Sequence, residues 1–595
     1  MSIPSLPQQD DPKTTEMRKR MLTRERKQYQ WSYDLESLKG IPALKETPYE
    51  VQPNGRWHKE VVKTVAKLGA NAAANGVASY FAGEGEEDQL DEDGVPTSFR
   101  EEVLMDIVGF LTDVLSDESA RHSRKLDEYD QLFSIISKPT SSSIFHSDRY
   151  FAQLRLAGPN PMLITLIHEL PSKLAVTEVG FQQALKYADT LSTALSEKRV
   201  FIVDYHELLP LAKHPNDAVR QVFAPIALFC LTPDRKDLLP VAIQYGQDPE
   251  KTKVVYVESN RSAPGYWPWQ AAKTIVQVAD TNHHEILVHL GRAHLVAEAI
   301  SVAVHRDLAP IHPLYKLLIT HFEGTHTINA LAAATLINKD GIIDNIFGAK
   351  IEWIQHLVAM DRHKFDFTSN MLPENLKLRG VDTLSVLPDY PYRDDGLLVW
   401  KAIQEWVNEY ITLYYFSDAD VFGDKELGSL LETLELNGQL RNLPAVSTRE
   451  ALGDFLTMVI FTTSAQHAAV NFPQKDHMTY APSTSGAVWG NNTEQVESQE
   501  DWLGMLPPKE VARRQFNVLY ALGDIRHTQL GDYYDNKEPY ALIFQDPRVT
   551  EAGGLLERFR EKLKNIESVI NKRNAKRSLV YPYLLPSQIP QSINI

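Results

Sequence analysis

The stretch HHEILVHLGRAH, residues 283–294, says most about the fold of this 595-residue chain. Within it, His284, His289 and His294 recur every five residues. An α-helix turns by about 100° per residue, so residues five apart lie about 140° apart around the axis and cannot face one ligand. A π-helical turn is wider, brings such residues almost into line, and occurs mostly at functional sites. The spacing therefore predicts a local π-helical segment with a metal ion beside it.

The histidine stretch lies inside a segment that is predicted to form one long helix. Between Pro268 and Pro310 there is no proline, and residues 269–309 are largely apolar. Proline is tolerated in the first turn of a helix and stops it elsewhere, which sets both ends. Such a helix would be roughly 60 Å long. We therefore expect it to run through the centre of a single large domain.

A second helix is predicted from a capping-box pattern at Ser447 and Glu450 up to Pro473. Its body, ALGDFLTMVIFTTSAQHAAVNF, is apolar nearly all round, which indicates a buried helix. His467 and Asn471 are four residues apart and share one face of an ordinary α-helix. Buried there, they need partners: either a metal ion or each other, as a core His–Asn pair. This motif alone leaves both readings open.

Charge and cysteine content exclude several classes of protein. The chain has 61 Lys and Arg against 78 Asp and Glu, a net charge of −17, whereas nucleic-acid binders need a basic surface. Its single cysteine, Cys230, lies in an apolar run, so we expect a core residue, no disulfide and no Cys-based metal site. The N-terminal residues lack the apolar segment of a secretory signal, and apolar runs reach only about ten residues. We expect a soluble cytoplasmic protein, with contact at a membrane surface left open.

The chain divides into three predicted parts. Residues 1–30 form a polar N-terminal tail that we expect to be loosely ordered. Residues 31–145 form an N-terminal helical region with an acidic loop, GEGEEDQLDEDGVPTS, at residues 83–98. Residues 146–595 form the core, which is mainly α-helical, with LPVAIQYG and KVVYVES as the best strand candidates among few small β elements.

At this point the sequence resembles a known family. The pattern H-x4-H-x4-H-x17-H-x8-H, carried by His284, His289, His294, His312 and His321, is similar to the lipoxygenase signature. RLAGPNPMLI, VFIVDYHELL, QHAAVNFPQ and the terminal YPYLLPSQIPQSINI resemble the same family, and the likeness covers roughly residues 150–595. It implies one large helical catalytic domain. The first 145 residues show no run of alternating strands, so the chain looks like the bacterial members that lack an N-terminal β-barrel.

The resemblance also implies a metal site. The family binds one non-haem iron, and the positions that match its ligands are His289, His294, His467, Asn471 and the terminal carboxylate of Ile595. Three imidazoles, an amide oxygen and one carboxylate suit a mid-row redox metal, and manganese, which some members use, is the alternative. His284, Glu285 and Gln474 match residues around these ligands, and a hydrogen bond between Glu285 and Gln474 is expected to link the two helices.

The segment INALAAATLINKDGIIDNIF matches the family's substrate cavity. By resemblance, Leu336 and Ile343 clamp the reacting pentadiene. Ala332 falls on the position where alanine usually goes with S products and glycine with R products, because a methyl group blocks one end of the pentadiene from oxygen. Ile346 and Phe347 match the position that sets cavity depth, where a bulky residue favours entry of the methyl end first. For linoleate, these features together imply a 13S product.

The activity implied is iron-dependent dioxygenation of polyunsaturated fatty acids of the linoleate or linolenate type. A metal-bound hydroxide removes a bisallylic hydrogen atom, and O2 adds to the radical to form a hydroperoxide. Three other readings remain: a zinc hydrolase; a relative with the same fold that processes hydroperoxides or serves as a metal-bearing scaffold for partners; and a helical protein with structural histidines. The first is disfavoured because HEILVH spaces its histidines by five, whereas the H-E-x-x-H motif spaces them by four. The oligomeric state is not predicted.

Overall fold

The predicted central helix is present in the computed structural model, which describes residues 4–48, 55–74, 125–185, 187–533 and 543–595. It extends over Tyr266–Asp307, within three residues of both predicted ends. Its middle, His284–His294, is π-helical, as the five-residue histidine spacing predicts. The helix is long and apolar enough to cross a membrane, but 89% of its most apolar window is buried inside the protein. It is therefore the core helix around which the domain is built.

The remaining helices surround this core, and helices make up 55% of the chain against 7% for strands, which confirms the mainly α prediction. Those before the central helix are Pro12–Gln28, Gly55–Ala74, Leu126–Asp130, Ser141–Ile144, Asp148–Ala157, Glu178–Ala184, Leu191–Ser196 and Leu209–Ala212. Those after it are Pro313–Leu318, Thr325–Thr335, Ile342–Ile346, Ile351–Lys364, Phe367–Asn370, Leu372–Leu378, Pro391–Ile411, Asp418–Phe422, Lys425–Leu436, Arg449–Phe461, His467–Asn471, Pro473–His477, Gln499–Leu503, Lys509–Asp524, Pro547–Thr550 and Leu555–Asn574.

A five-stranded antiparallel sheet packs beside the helices. Its strands, in order across the sheet, are Thr165–Leu166, Val200–Asp204, Ile226–Leu231, Leu238–Gln244 and Val254–Tyr256. The last two confirm the strands predicted from sequence. Val200–Asp204 and Ile226–Leu231 were not predicted, because a strand buried on both faces shows a continuous apolar run rather than an alternation. Cys230 is fully buried in this sheet, as expected. Two short ribbons pair Trp31–Ser32 with Ala43–Leu44 and Arg220–Gln221 with Val488–Trp489.

The second predicted helix, here called the ligand helix, occupies residues 449–471. Its N-cap is Thr448, whose side chain accepts a hydrogen bond from the amide of Ala451, so the predicted start at Ser447 is wrong by one residue. It also contains a π-helical segment, Thr462–Gln466, directly before His467, which the sequence did not reveal. The helix is buried, as its apolar body predicts.

The N-terminal residues are better ordered than their polar composition predicts. Pro12–Gln28 is a helix that packs against Leu295–Asp307, the last part of the central helix. Arg18 is buried within it and forms ion pairs with Asp10 at 2.6 Å and Glu426 at 3.1 Å. The expectation of a loosely ordered tail is therefore wrong, because its charges pair with one another and with the core.

The acidic loop at residues 83–98 lies outside the described residues. The division of the chain at residues 30 and 145 stays a prediction. The described residues of the N-terminal region, 4–48, 55–74 and 125–145, contain helices and one two-residue ribbon.

Candidate metal centre and substrate cavity

Three imidazole rings converge at the centre of the protein. His289 and His294 come from the π-helical segment, and His467 comes from the ligand helix. Their Nε2 atoms are 3.3 Å apart between His289 and His467, 3.2 Å between His294 and His289, and 3.1 Å between His294 and His467. The wider turn of the π-helix allows this, because it places two histidines five residues apart on one face. All three are buried, and together they can hold a metal ion.

The hydrogen bonds on the far side of the rings show that this arrangement suits a cation. Nδ1 of His289 lies 3.2 Å from a carboxylate oxygen of Glu285, and Nδ1 of His294 lies 2.8 Å from the side-chain oxygen of Asn329. Both Nδ1 atoms must therefore carry the proton, which leaves a lone pair on each Nε2. Two lone pairs facing each other repel unless they share a cation. Bonds of about 2.1 Å from nitrogen to a common metal would separate the nitrogens by about 3.0–3.4 Å, which is the spacing found.

Burial keeps these rings neutral, which is the form that binds metals. Desolvation, followed by the neighbouring His289, lowers the pKa of His294 to about 3. Desolvation, followed by His294 and His289, lowers the pKa of His467 well below its ordinary value. The nearby backbone of Ile595 opposes this pKa shift at His467, and Ile595 lies in the same cavity wall as His289 and His294.

Asn471 lies one turn beyond His467 and is held by two hydrogen bonds. Its side-chain oxygen accepts from the amide of Gln474 at 2.9 Å, and its side-chain nitrogen donates to the carbonyl of Leu522 at 2.8 Å. An amide oxygen has two lone pairs, so one remains for a metal ion. The expected hydrogen bond between Glu285 and Gln474 is not formed. Glu285 supports His289 while Gln474 supports Asn471, so each side chain orients a different predicted ligand.

The other histidines of the signature hold the structure together. Nε2 of His284 lies 2.8 Å from the carbonyl oxygen of Val470 and so ties the central helix to the ligand helix. Nε2 of His312 lies 3.0 Å from a carboxylate oxygen of Asp424. His321 contacts the C-terminal tail. None of the three contributes a nitrogen to the cluster of His289, His294 and His467.

The C-terminal tail enters the core and is held through its backbone carbonyls. Nδ1 of His321 donates to the carbonyl of Gln591 at 2.7 Å, and the hydroxyl of Thr325 donates to the carbonyl of Ile593 at 2.9 Å. Ile595 is only 8% exposed. A buried terminal carboxylate needs a cation or several donors, which supports the reading of the chain end as a ligand. The five ligand assignments themselves stay predictions.

An apolar cavity opens directly beside the imidazoles and has His289, His294 and Ile595 in its wall. All five residues predicted to bind substrate line it: Ala332, Leu336, Ile343, Ile346 and Phe347. Sequence reasoning missed two further walls, made by Trp57, Val61 and Val65 of the helix Gly55–Ala74 and by Val518, Leu519, Leu522 and Ile525 at the helix Lys509–Asp524. The spacing 57, 61, 65 is a helical stripe, but nothing in it distinguishes a cavity wall from an ordinary core face.

The sequence did not identify Asn329 as a residue of the site either. It lies in the helix Thr325–Thr335, where its side-chain nitrogen donates to the carbonyl oxygen of His294 at 3.1 Å and to a carboxylate oxygen of Glu298 at 2.7 Å. These two bonds turn its oxygen toward Nδ1 of His294. Asn329 is the second residue of the predicted cavity segment INALAAATLINKDGIIDNIF, and a polar residue at that point carries no recognisable pattern.

Comparison with known proteins agrees with this site. The family model described as "Lipoxygenase" matches residues 88–582. The chain is 40% identical to the linoleate 9/13-lipoxygenase of Pseudomonas aeruginosa, over 100% of this chain and 93% of the relative. It is 32% identical to the human polyunsaturated fatty acid lipoxygenase ALOX15B, over 79% of this chain and 69% of the relative.

Solved structures give the same result for the fold. The crystal structure of coral 8R-lipoxygenase superposes with a TM-score of 0.82 at 26% identity, over 100% of this chain and 83% of the coral chain. A lipoxygenase variant, Delta413-417:GS I805W, superposes equally well, with a TM-score of 0.82 at 26% identity, over 100% of this chain and 84% of that chain. With this fold, a cluster of metal-binding histidines and an apolar cavity beside them, the chain belongs to the lipoxygenase family and is a fatty-acid dioxygenase.

Proposed function

We propose that this lipoxygenase binds one iron ion and converts linoleate or linolenate to the 13S hydroperoxide. The ligands would be the imidazoles of His289, His294 and His467, the amide oxygen of Asn471 and the terminal carboxylate of Ile595. The observation that carries the proposal is the meeting of three Nε2 atoms, 3.1–3.3 Å apart, at the wall of an apolar cavity.

The donor set supports iron over a non-redox metal. Neutral imidazoles, an amide oxygen and a carboxylate suit a first-row redox metal with an open position, whereas zinc does not change valence. Iron bound there would supply one-electron redox chemistry, which none of the cavity side chains provides. Manganese fits the same donors, so elemental analysis of the purified protein has to distinguish the two.

The residues of the chain bind and orient the substrate. The cavity wall is mainly aliphatic and aromatic, so it suits a hydrocarbon chain and disfavours water. Leu336 and Ile343, from either side of the turn after the helix Thr325–Thr335, would hold the pentadiene beside His289 and His294. Holding the reacting carbon next to the metal accelerates the reaction, because the two reacting groups no longer have to meet by diffusion.

The 13S assignment rests on the resemblance at Ala332, Ile346 and Phe347, all of which line the cavity. Ile346 and Phe347 are both 3% exposed. A Cβ on Gly486 would lie 2.7 Å from Ile346 Cγ2 and 2.8 Å from Phe347 Cδ1, so backbone packs directly behind both residues. They therefore have little room to move away from the cavity, and if they limit its depth, entry of the methyl end first is favoured. Ala332 in the cavity wall would direct oxygen to the S product.

The experiment that tests this proposal combines product analysis with metal analysis. We expect the wild type to contain about one iron per chain, to consume O2 with linoleate, and to give conjugated diene that chiral chromatography identifies as the 13S hydroperoxide. A variant that lacks Ile595 should lose metal and activity together. Manganese in the active protein, a 9-hydroperoxide or an R product would each refute the corresponding part of the proposal.

A second candidate activity is isomerisation of fatty-acid hydroperoxides. The chain is 31% identical, over 79% of its length, to the human protein named hydroperoxide isomerase ALOXE3, and the cavity would accept either kind of substrate. Parallel assays with linoleate and with its hydroperoxide distinguish the two. If only the hydroperoxide is consumed, without uptake of O2, isomerisation is the main activity.

We also propose that this protein is cytoplasmic and contacts membranes only transiently. Its net charge of −17 supports this, because an acidic protein is repelled by anionic lipid headgroups. Fractionation of cells that produce the protein tests the location, and stable recovery in the membrane fraction would contradict it.

A further inference from the structure

We propose that Trp57 is a positioning residue for the C-terminal metal ligand. Its indole N–H holds the last peptide carbonyl of the chain and thereby orients the terminal carboxylate of Ile595. This inference rests on the proposed role of that carboxylate as a ligand. It adds a residue from the N-terminal part of the chain, which would act on the metal through the tail.

The contact itself is short and buried. Nε1 of Trp57 donates to the carbonyl oxygen of Asn594 at 2.5 Å, and Trp57 is 1% exposed. Trp57 lies at the start of the helix Gly55–Ala74. Its ring belongs to a buried cluster that also contains Val61, Val65 and Ile595. The indole therefore contacts the tail both through its N–H group and through packing.

A chain end needs such a contact more than an internal residue does. In the proposed site the ligand is the terminal carboxylate of Ile595, and the direction of this carboxylate depends on the peptide plane before it. That plane contains the carbonyl of Asn594 and the nitrogen of Ile595, because the peptide unit is planar. A hydrogen bond that holds this carbonyl therefore fixes the orientation of the peptide plane to which Ile595 and its carboxylate are attached.

The other described contacts of the C-terminal tail do not bind the carbonyl of Asn594. His321 and Thr325 bind the carbonyls of Gln591 and Ile593. The side chain of Asn594 donates to the carbonyl of His527 at 3.0 Å, which anchors the residue but leaves its own carbonyl free to turn. Among the described hydrogen bonds, that from Trp57 is the one side-chain contact to the carbonyl that adjoins Ile595.

The two residues lie outside the segment that identifies the family. The family model matches residues 88–582, whereas Trp57 precedes this segment and Asn594 follows it. The same helix face supplies Val61 and Val65 to the substrate cavity. The helix Gly55–Ala74 would therefore serve both the cavity and the metal ligand. Its docking on the core is then a condition for tight metal binding.

The test compares metal release from wild type and from Trp57→Phe, which keeps an aromatic ring and removes the N–H donor. Each protein is loaded with ferrous iron, mixed with excess chelator, and followed by the absorbance of the iron–chelator complex. We expect release to be about tenfold faster from Trp57→Phe, as the loss of one buried hydrogen bond implies. The matched control is Trp31→Phe, because the indole nitrogen of Trp31 has no hydrogen-bond partner. It should release iron at the wild-type rate.

A double-mutant cycle shows whether the effect passes through the carboxylate. In a protein without Ile595, the proposed ligand is absent and the chain ends in the carboxylate of Asn594. Trp57 can then no longer act on the carboxylate of Ile595, so Trp57→Phe should cause no further acceleration. Thermal unfolding of the metal-free proteins checks for general loss of stability. An unchanged release rate in Trp57→Phe, or full additivity with removal of Ile595, overturns the inference. If removing Ile595 itself leaves the rate of iron release unchanged, the proposed role of Ile595 as a ligand is wrong. This outcome differs from the two that overturn the role of Trp57.

Discussion

Asn329 binds His294 at two points. Its side-chain oxygen lies 2.8 Å from Nδ1 of the ring, and its side-chain nitrogen donates to the carbonyl oxygen of the same residue at 3.1 Å. The ring and the backbone of His294 are thus held by one amide from the neighbouring helix. Since such partners set the tautomer and the angle of a metal-binding imidazole, Asn329 should govern how well His294 binds metal.

Replacing Asn329 by alanine should therefore weaken metal binding. Loss of an outer partner of this kind typically reduces metal affinity about 10–100-fold. The measurement is competition for ferrous iron with a chelator of known affinity. Asn338→Ala is a suitable control, because the side-chain oxygen of Asn338 is buried without a partner. Equal affinities of the two variants would show that the bonds to His294 do not matter for the metal.

Replacing Ala332 by glycine should change the stereochemistry of the product. The loss of one methyl group at the cavity wall exposes the other end of the pentadiene to oxygen, so the share of R hydroperoxide should rise at the expense of S. Chiral chromatography of the linoleate products measures the ratio. Ala333→Gly is the control, since Ala333 lies outside the cavity wall described above. An unchanged ratio in Ala332→Gly would contradict the assigned role.

Replacing Phe347 by leucine should deepen the cavity. The methyl end of the substrate then enters further, and a bisallylic carbon nearer the carboxyl group reaches the metal. On a fatty acid with several bisallylic carbons, we expect the oxygenated position to shift toward the carboxyl end, as mass spectrometry of the reduced products can measure. Phe365→Leu removes a similar buried ring away from the cavity and should leave the position unchanged. A shift in both variants would point to a general loss of packing.

Stability should fall as the pH drops below neutrality. Burial lowers the pKa of His305 and of His477 to about 4, and that of His321 to about 3. In the unfolded chain the pKa of these rings is about 6.5. Between that pH and about pH 4, the unfolded state therefore binds more protons than the folded state. The free energy of unfolding therefore decreases as the pH falls through this window. Above the window, the contribution of the neutral buried rings to stability is fully retained.

Urea unfolding of the metal-free protein between pH 7 and pH 5 measures this dependence. His477→Gln removes one of the buried rings and should reduce the slope of stability against pH. His206→Gln replaces a histidine whose side chain is 59% exposed and should leave the slope unaltered. Stability that is independent of pH in the wild type would show that the buried rings do not stay neutral in the folded protein.

Local spacing carried much of the information about this protein. The five-residue interval of His284, His289 and His294 was sufficient to predict the π-helical segment, because turn width is a local property of the backbone. The proline-free run predicted the central helix almost to its ends. The resemblance to lipoxygenases located the cavity residues Ala332 and Phe347, which line the cavity in the structure.

Only the tertiary structure showed which side chains support the site. Asn329 reaches His294, Gln474 binds Asn471 rather than Glu285, and Trp57 meets Asn594 from 537 positions away along the chain. Sequence periodicity reports which face of one helix is apolar. It contains no information on which distant residue packs against that face, because this depends on how the helices and the tail pack together in three dimensions. The histidines that could bind metal were therefore predictable from sequence, whereas the hydrogen bonds that orient them were not.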